Sequence, residues 1–262
     1  MKRVILTCIS TTLLLTSTVK AELNFDKVPQ RLSAYYLSKM QSVQSIKKKL
    51  TAKGFNVLAT DTILKGKTVI TFTNKELQAT NSYLSTLHLM VNKDDAEIRV
   101  QNPSYFASAY LKDYQYGDFK ITLNRLEEVL TYMVPLPQKK DKRVLPRYHF
   151  MFGMPYLKDT ITVSNNVTSF PKSISYSLQL PNGSVLIGHK LSTKTTHFLE
   201  KIGQSKNAQL LPYESIIQNG HATILDPKYY LPLSLPNLRM GQFMKIATTP
   251  YNITKEIEKS YK

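Results

Sequence analysis

The residues best suited to chemistry lie in one short run, Tyr148-His149-Phe150-Met151-Phe152-Gly153-Met154-Pro155-Tyr156. An imidazole and two thioethers within six residues make a soft donor set, and methionine sulfur suits Cu(I) in an oxidising compartment. On a strand His149 and Met151 share a face; bringing Met154 alongside needs a bend, which Gly153 and Pro155 supply. His149, Met151 and Met154 therefore stand as a candidate copper- or haem-handling set. The alternative is an apolar strand whose methionines fill space. A second candidate group is aromatic: Tyr105-Phe106 and Tyr229-Tyr230 follow Pro103 and Pro227 at matching places. Tyrosine is large and rigid with a polar tip, so the four suit the lining of a ligand cleft between two modules. Their alternative role is to cap the hydrophobic cores.

Signatures of catalysis are absent. The chain has no Gly-x-Ser-x-Gly elbow, no His-Glu-x-x-His pair, no phosphate-binding Gly-rich loop and no dinucleotide fingerprint. Its nine glycines leave little for loops that cradle phosphate. The histidines His88, His149, His189, His197 and His221 are scattered and read as exposed or locally bonded. Asp94-Asp95 reads as a turn and Glu127-Glu128 as a solvated helix face. The balance favours a non-enzymatic binding or accessory module with no cofactor implied. An enzyme would need His, Tyr and Lys side chains gathered into one pocket from distant parts of the chain.

The ends and the charge speak to compartment. Lys2-Arg3, an apolar run diluted by Ser and Thr, and Val19-Lys20-Ala21 before Glu22 have the pattern of a cleaved leader over residues 1–21. The run is short for a membrane span. Cleavage removes Cys8, the sole cysteine, so the mature chain has no disulfide and no thiolate chemistry. A bacterial periplasm is the expected location. The net charge is +17, of which Lys2, Arg3 and Lys20 take three, leaving +14 on the mature chain. That charge suits an anionic membrane surface, or serves as a solvated lysine coat; nucleic acid is scarce in a periplasm. The expected partner is a small molecule or another periplasmic protein, and the chain is not expected to be an integral membrane protein.

The elements that position these residues come twice. Residues 87–119 and 210–243 each read as strand, turn, strand, Asn/Asp-Pro and an aromatic segment. Pro103 lies fourteen residues before Gly117, and Pro227 fourteen before Gly241. Asn219-Gly220 is a strong hairpin signal, since both central residues of a type I′ turn need positive φ. Ahead of the first copy the spacing predicts a helix over 28–53, strands over 55–63 and 69–72, and a helix capped by Asn74. A strand over 119–122 and a helix from Asn124 to Met133 close it. In the second copy 174–180 and 185–187 are strands, 192–202 and 253–261 helices. The long first helix has no counterpart before Ile174, where 161–163 reads as a strand. Pro135, Pro137 and the basic run 139–143 mark a boundary. The expectation is an α+β protein of two repeated modules, each an antiparallel sheet with helices packed on one face. Its parts are a first module over 22–134, a linker over 135–147 and a second module over 148–262, packed about a pseudo-twofold.

The order helix, Gly54-Phe55-Asn56-Val57, Asn74-Lys75-Glu76-Leu77, Leu210-Leu211-Pro212 and Asp226-Pro227 resembles the bacterial family named "domain of unknown function 302", present in tandem. The first copy lacks the Leu-Leu-Pro and has Asn102 for Asp; the second lacks the Gly-Phe-x-Val. The resemblance implies a compact α+β fold with helices on one face of antiparallel strands, and it supplies no catalytic residues.

Overall fold

A computed structural model describes Phe25 and residues 27–262; the leader and Cys8 fall outside them. The first half runs β1 (Arg31–Ser33), β2 (Tyr35–Lys39), α1 (Val43–Ala52), β3 (Asn56–Leu64), β4 (Lys67–Thr73), α2 (Lys75–Gln78), β5 (Leu87–Asn92) and β6 (Glu97–Gln101). Helices α3 (Pro103–Tyr110) and α4 (Lys120–Leu130) complete it. Two short strands follow, β7 (Val134–Pro135) and β8 (Lys139–Asp141). The second half runs β9 (Ile161–Ser164), β10 (Ile174–Gln179), β11 (Val185–His189), α5 (Thr193–Thr196), α6 (Phe198–Lys201), β12 (Tyr213–Gln218) and β13 (His221–Ile224). It ends on α7 (Pro227–Ser234), α8 (Met240–Lys245) and α9 (Thr249–Ser260). The class is α+β, with antiparallel sheets throughout the described residues. None of the described helices is long and apolar enough to cross a membrane.

The two large sheets have corresponding strand orders. The first is β3-β4-β5-β6-β2-β7 and the second β10-β11-β12-β13-β9, so each half lays its first strand beside its fifth. Pairing registers extend the correspondence to single residues. Leu89 faces Val100 and Ile70 in the first sheet; Ser215 faces Ile224 and Ile187 in the second. Carrying that register along each strand matches Phe72 to His189, Thr71 to Gly188 and His88 to Glu214.

Local chemistry explains several boundaries. Asn219 and Gly220 both have positive φ, 51° and 77°, as the hairpin turn requires. Asn74 and Ser192 cap α2 and α5 by accepting from Leu77 N and Thr195 N. Asn102-Pro103 and Asp226-Pro227 start α3 and α7: the Asn or Asp side chain caps while proline holds the first helical position. These are helices where the sequence suggested only an aromatic segment.

Three expectations need correction. The helix foreseen over 28–53 covers only Val43–Ala52, with Ser42 as its cap. Tyr35–Lys39 is a strand held between β6 and β7, because long-range pairing overrides a spacing that suits either form. The strand foreseen at 119–122 is the first turn of α4. The segment 135–147 is no free linker. It supplies β7 to the first sheet and β8 to a pair with β1, and Leu145 is fully buried.

The halves share one core. A single apolar cluster runs from Leu32 to Ile257 across both. Beside it lies a polar seam. The Thr86 and Tyr176 hydroxyls donate to Glu214 Oε1, and His88 Nε2, whose register counterpart is Glu214, stands 3.6 Å from the same oxygen. Gly188 makes room for it: a Cβ there would lie 2.2 Å from the Tyr176 ring.

Candidate functional site

The four aromatic residues at the repeated prolines lie in the shared core. Tyr105, Phe106, Tyr229 and Tyr230 are 0, 2, 1 and 8% exposed. The Tyr105 hydroxyl donates to Leu233 O and that of Tyr230 to Leu210 O, so one of these bonds crosses between the halves. Cavities of about 200 and 250 Å³ touch both halves, but other, mostly polar residues line them. With their rings inside the core, these four hold the halves together and offer no surface to a ligand.

The run 148–156 forms turns, not a strand. Gly153, at φ 77°, supplies the bend, and Met154 N donates to Met151 O. The two thioethers then part company: Met151 is 39% exposed, whereas Met154 packs against the core. The His149 ring meets that of Tyr156 at a tilt of 46°, with centroids 4.7 Å apart. Among the described residues no group of three His, Cys, Asp or Glu side chains is placed to hold a metal ion.

A more organised polar site lies in the second half. A cavity of about 420 Å³ is bordered by Lys172 and Ser173 ahead of β10, by His189 to Ser192 at the end of β11, and by Glu256, Ile257, Lys259 and Ser260 on α9. By strand order β10 and β11 hold the places of β3 and β4, which α1 covers in the first half. There Ile46 and Leu50 of α1 are fully buried, and Phe72 meets Phe55 edge-on at 5.2 Å. Between β9 and β10 the chain reads Asn165-Asn166-Val167-Thr168-Ser169-Phe170-Pro171-Lys172-Ser173 and forms no helix. Asn, Ser and Thr compete with a helix for backbone bonds, and Pro171 lacks the N–H a helix interior needs. The ground that α1 covers is therefore left open.

His189 takes the place of Phe72 and is 2% exposed. Its Nε2 lies 2.7 Å from Ser215 Oγ, which lies 2.6 Å from the Tyr261 hydroxyl. Its Nδ1 is 3.5 Å from Ser260 Oγ. Burial pushes the imidazole down to about 4, so it is neutral at pH 7. Burial also pushes the Tyr261 hydroxyl up to about 12, which keeps it protonated. Ser215 is fully buried and out of a substrate's reach, so this His–Ser–Tyr chain is a scaffold and not a nucleophile with its base.

Comparison with known proteins offers no precedent. No family model matches the chain, and neither a curated protein nor a solved structure matches it.

Electrostatics then characterise the cavity. Lys172 and Lys259 make no ion pair among the described residues. Lys190 reaches Asp61 Oδ1 at 3.2 Å, over a smaller cavity on its other side. The one acid in the lining, Glu256, is already committed. Its oxygens accept from Ser192 N, from Ser192 Oγ at 3.0 Å and from Thr195 Oγ1 at 2.5 Å, tying α9 to the cap of α5. The Ser260 carbonyl, at the negative end of α9, accepts from Lys172 N at 2.8 Å. What stays unspent among the described residues is the positive charge of Lys172 and Lys259 and the Ser173 hydroxyl, since Ser192 Oγ donates to Glu256 and Ser260 Oγ to Ile257 O. Local patterns in the sequence missed this site, since its residues come from three separated segments.

Proposed function

We propose that this chain is an exported, non-enzymatic binding module that holds a small oxyanion of the phosphate or sulfate type in the cavity beside His189. The observation that carries the reading is the lining: the unpaired ammonium groups of Lys172 and Lys259 and the Ser173 hydroxyl around about 420 Å³, with Glu256, the one carboxylate among the described lining residues, internally satisfied. Ammonium and hydroxyl donors suit an oxyanion, which presents several acceptors at once. A neutral His189 contributes a fixed, uncharged polar wall at pH 7. Export is supported by the leader pattern of residues 1–21 and the lack of cysteine after Cys8. The family resemblance and the matching strand orders support a duplication in which one copy kept its covering helix and the other opened a site.

Isothermal titration calorimetry with inorganic phosphate and sulfate tests the function. Saturable binding by the wild type, weakened at least tenfold in the Lys172→Glu/Lys259→Glu double variant, supports it. Heats that never saturate, or equal binding by both proteins, would sink it. N-terminal sequencing of the protein from its own cells should begin at Glu22.

A further inference from the structure

A second cavity, of about 500 Å³, lies in the first half, away from His189. Its walls come from Val28 and Leu32 at β1, from Leu111, Lys112, Tyr114 and Tyr116 in the chain leaving α3, and from Lys142, Arg143 and Pro146 after β8. The walls combine two chemistries. One part is apolar, made of Val28, Leu32, Leu111, Tyr114, Tyr116 and Pro146. Val28 is left 46% exposed there. The other part is cationic, with Lys112, Lys142 and Arg143 and no acid among the described residues of the lining. Asp141 neutralises Arg143 through a two-pronged pair, leaving the charges of Lys112 and Lys142 without an ion-pair partner among the described residues.

We infer that this cavity takes an amphipathic anion, an alkyl chain of medium length ending in a carboxylate or sulfonate. The volume falls in the range of small-ligand sites, which are mostly apolar with a few placed polar groups. The chain lies against the leucines, the tyrosines and Val28, and the anionic head meets Lys112 and Lys142. Charge complementarity separates this occupant from an uncharged lipid or a cationic amphiphile, which the same apolar wall would otherwise accept. The site differs from the His189 cavity in its lining: there only Leu191 and Ile257 are apolar, and here six apolar or aromatic side chains form a wall.

The test is calorimetric titration of the full mature protein with decanoate, decanol and decyltrimethylammonium, each below its aggregation threshold. Decanoate is expected to bind saturably, decanol at least tenfold more weakly, and the cation undetectably. The Lys112→Glu/Lys142→Glu variant should weaken decanoate at least tenfold. Lys48→Glu/Lys201→Glu, which changes net charge by the same amount elsewhere on the surface, should leave it within twofold. Circular dichroism of both variants checks that they are folded. Absence of decanoate binding, equal binding of all three amphiphiles, or equal losses in the two variants would overturn the inference. So would binding that appears only with anionic phospholipid vesicles, since that would assign the charge to a membrane surface.

Discussion

The same strand order serves two ends in this molecule. In the first half α1 lies over β3 and β4 and buries Ile46 and Leu50 completely, with Phe72 and Phe55 in edge contact beneath. In the second half the position of Phe72 is held by His189, the connection before β10 is irregular, and a lysine-lined cavity opens. One helix and one aromatic side chain separate the covered β3–β4 face of the first half from the open β10–β11 face of the second. The filled half carries stability in its cover. The open half can do without that cover because α9 and the His189–Ser215–Tyr261 chain brace the sheet from the side, with the His189 and Tyr261 rings 5.6 Å apart.

If that contrast is right, trimming the cover should cost the most. Leu50→Ala removes a fully buried side chain from α1 and is expected to destabilise the protein by about 3 kcal/mol in urea unfolding. A cost below about 1 kcal/mol would mean that α1 is no better anchored than a surface helix.

The pH dependence of the open half is the next largest effect. His189 in the fold takes a proton only near pH 4, whereas in the unfolded chain it does so near its ordinary 6.5. Between those values the unfolded state binds the extra proton, so stability falls as pH drops from about 6.5 to 4. A shift of that size corresponds to about 3 kcal/mol at full extent. Above pH 6.5 the effect vanishes. His189→Phe, which copies the first half, should abolish this part of the slope. Unfolding curves of both proteins at pH 7, 5 and 4 measure it, and parallel losses would show that other groups govern the acid limb.

The seam between the halves gives a smaller effect. Gly188→Ala would press a methyl group into the buried Tyr176 ring and disturb its bond to Glu214, at about 2 kcal/mol. Thr71 occupies the matching place in the first sheet, where no such ring crosses, and Thr71→Ala should cost less. Smallest of all is the expected change at the methionine run. Because Met151 is exposed while Met154 packs inward, Met151→Leu should alter Cu(I) affinity by less than about twofold by competitive titration, the margin expected for a surface change. A loss of tenfold or more would restore His149, Met151 and Met154 as a metal set.

Much of the architecture is written in local patterns. The Asn219-Gly220 hairpin, the caps at Asn74 and Ser192, and the α+β class all follow from short-range chemistry. Tyr35 to Lys39 misled because Leu32, Tyr35-Tyr36 and Met40 recur at helical intervals, and only distant partners, β6 and β7, make the segment a strand. Asn102-Pro103 and Asp226-Pro227 were visible as a repeat, yet their meaning as cap plus first helical residue lies in the backbone. The aromatic pairs that follow turned inward for a reason neither half reveals alone: each half supplies part of the other's core. The cavity beside His189 had one trace in the sequence, the missing helix before Ile174. Its lysines are spread over almost ninety positions and meet only when the sheet and α9 are assembled.

The account rests on the open half binding an oxyanion where the filled half keeps α1. Titrating isotopically labelled mature protein with inorganic phosphate and following backbone amide shifts tests this most directly. The account predicts saturable shifts concentrated at residues 172–173, 189–192 and 256–260, with α1 and its neighbours in the first half unmoved. Shifts scattered over surface lysines without saturation, or centred on the first half, would contradict it.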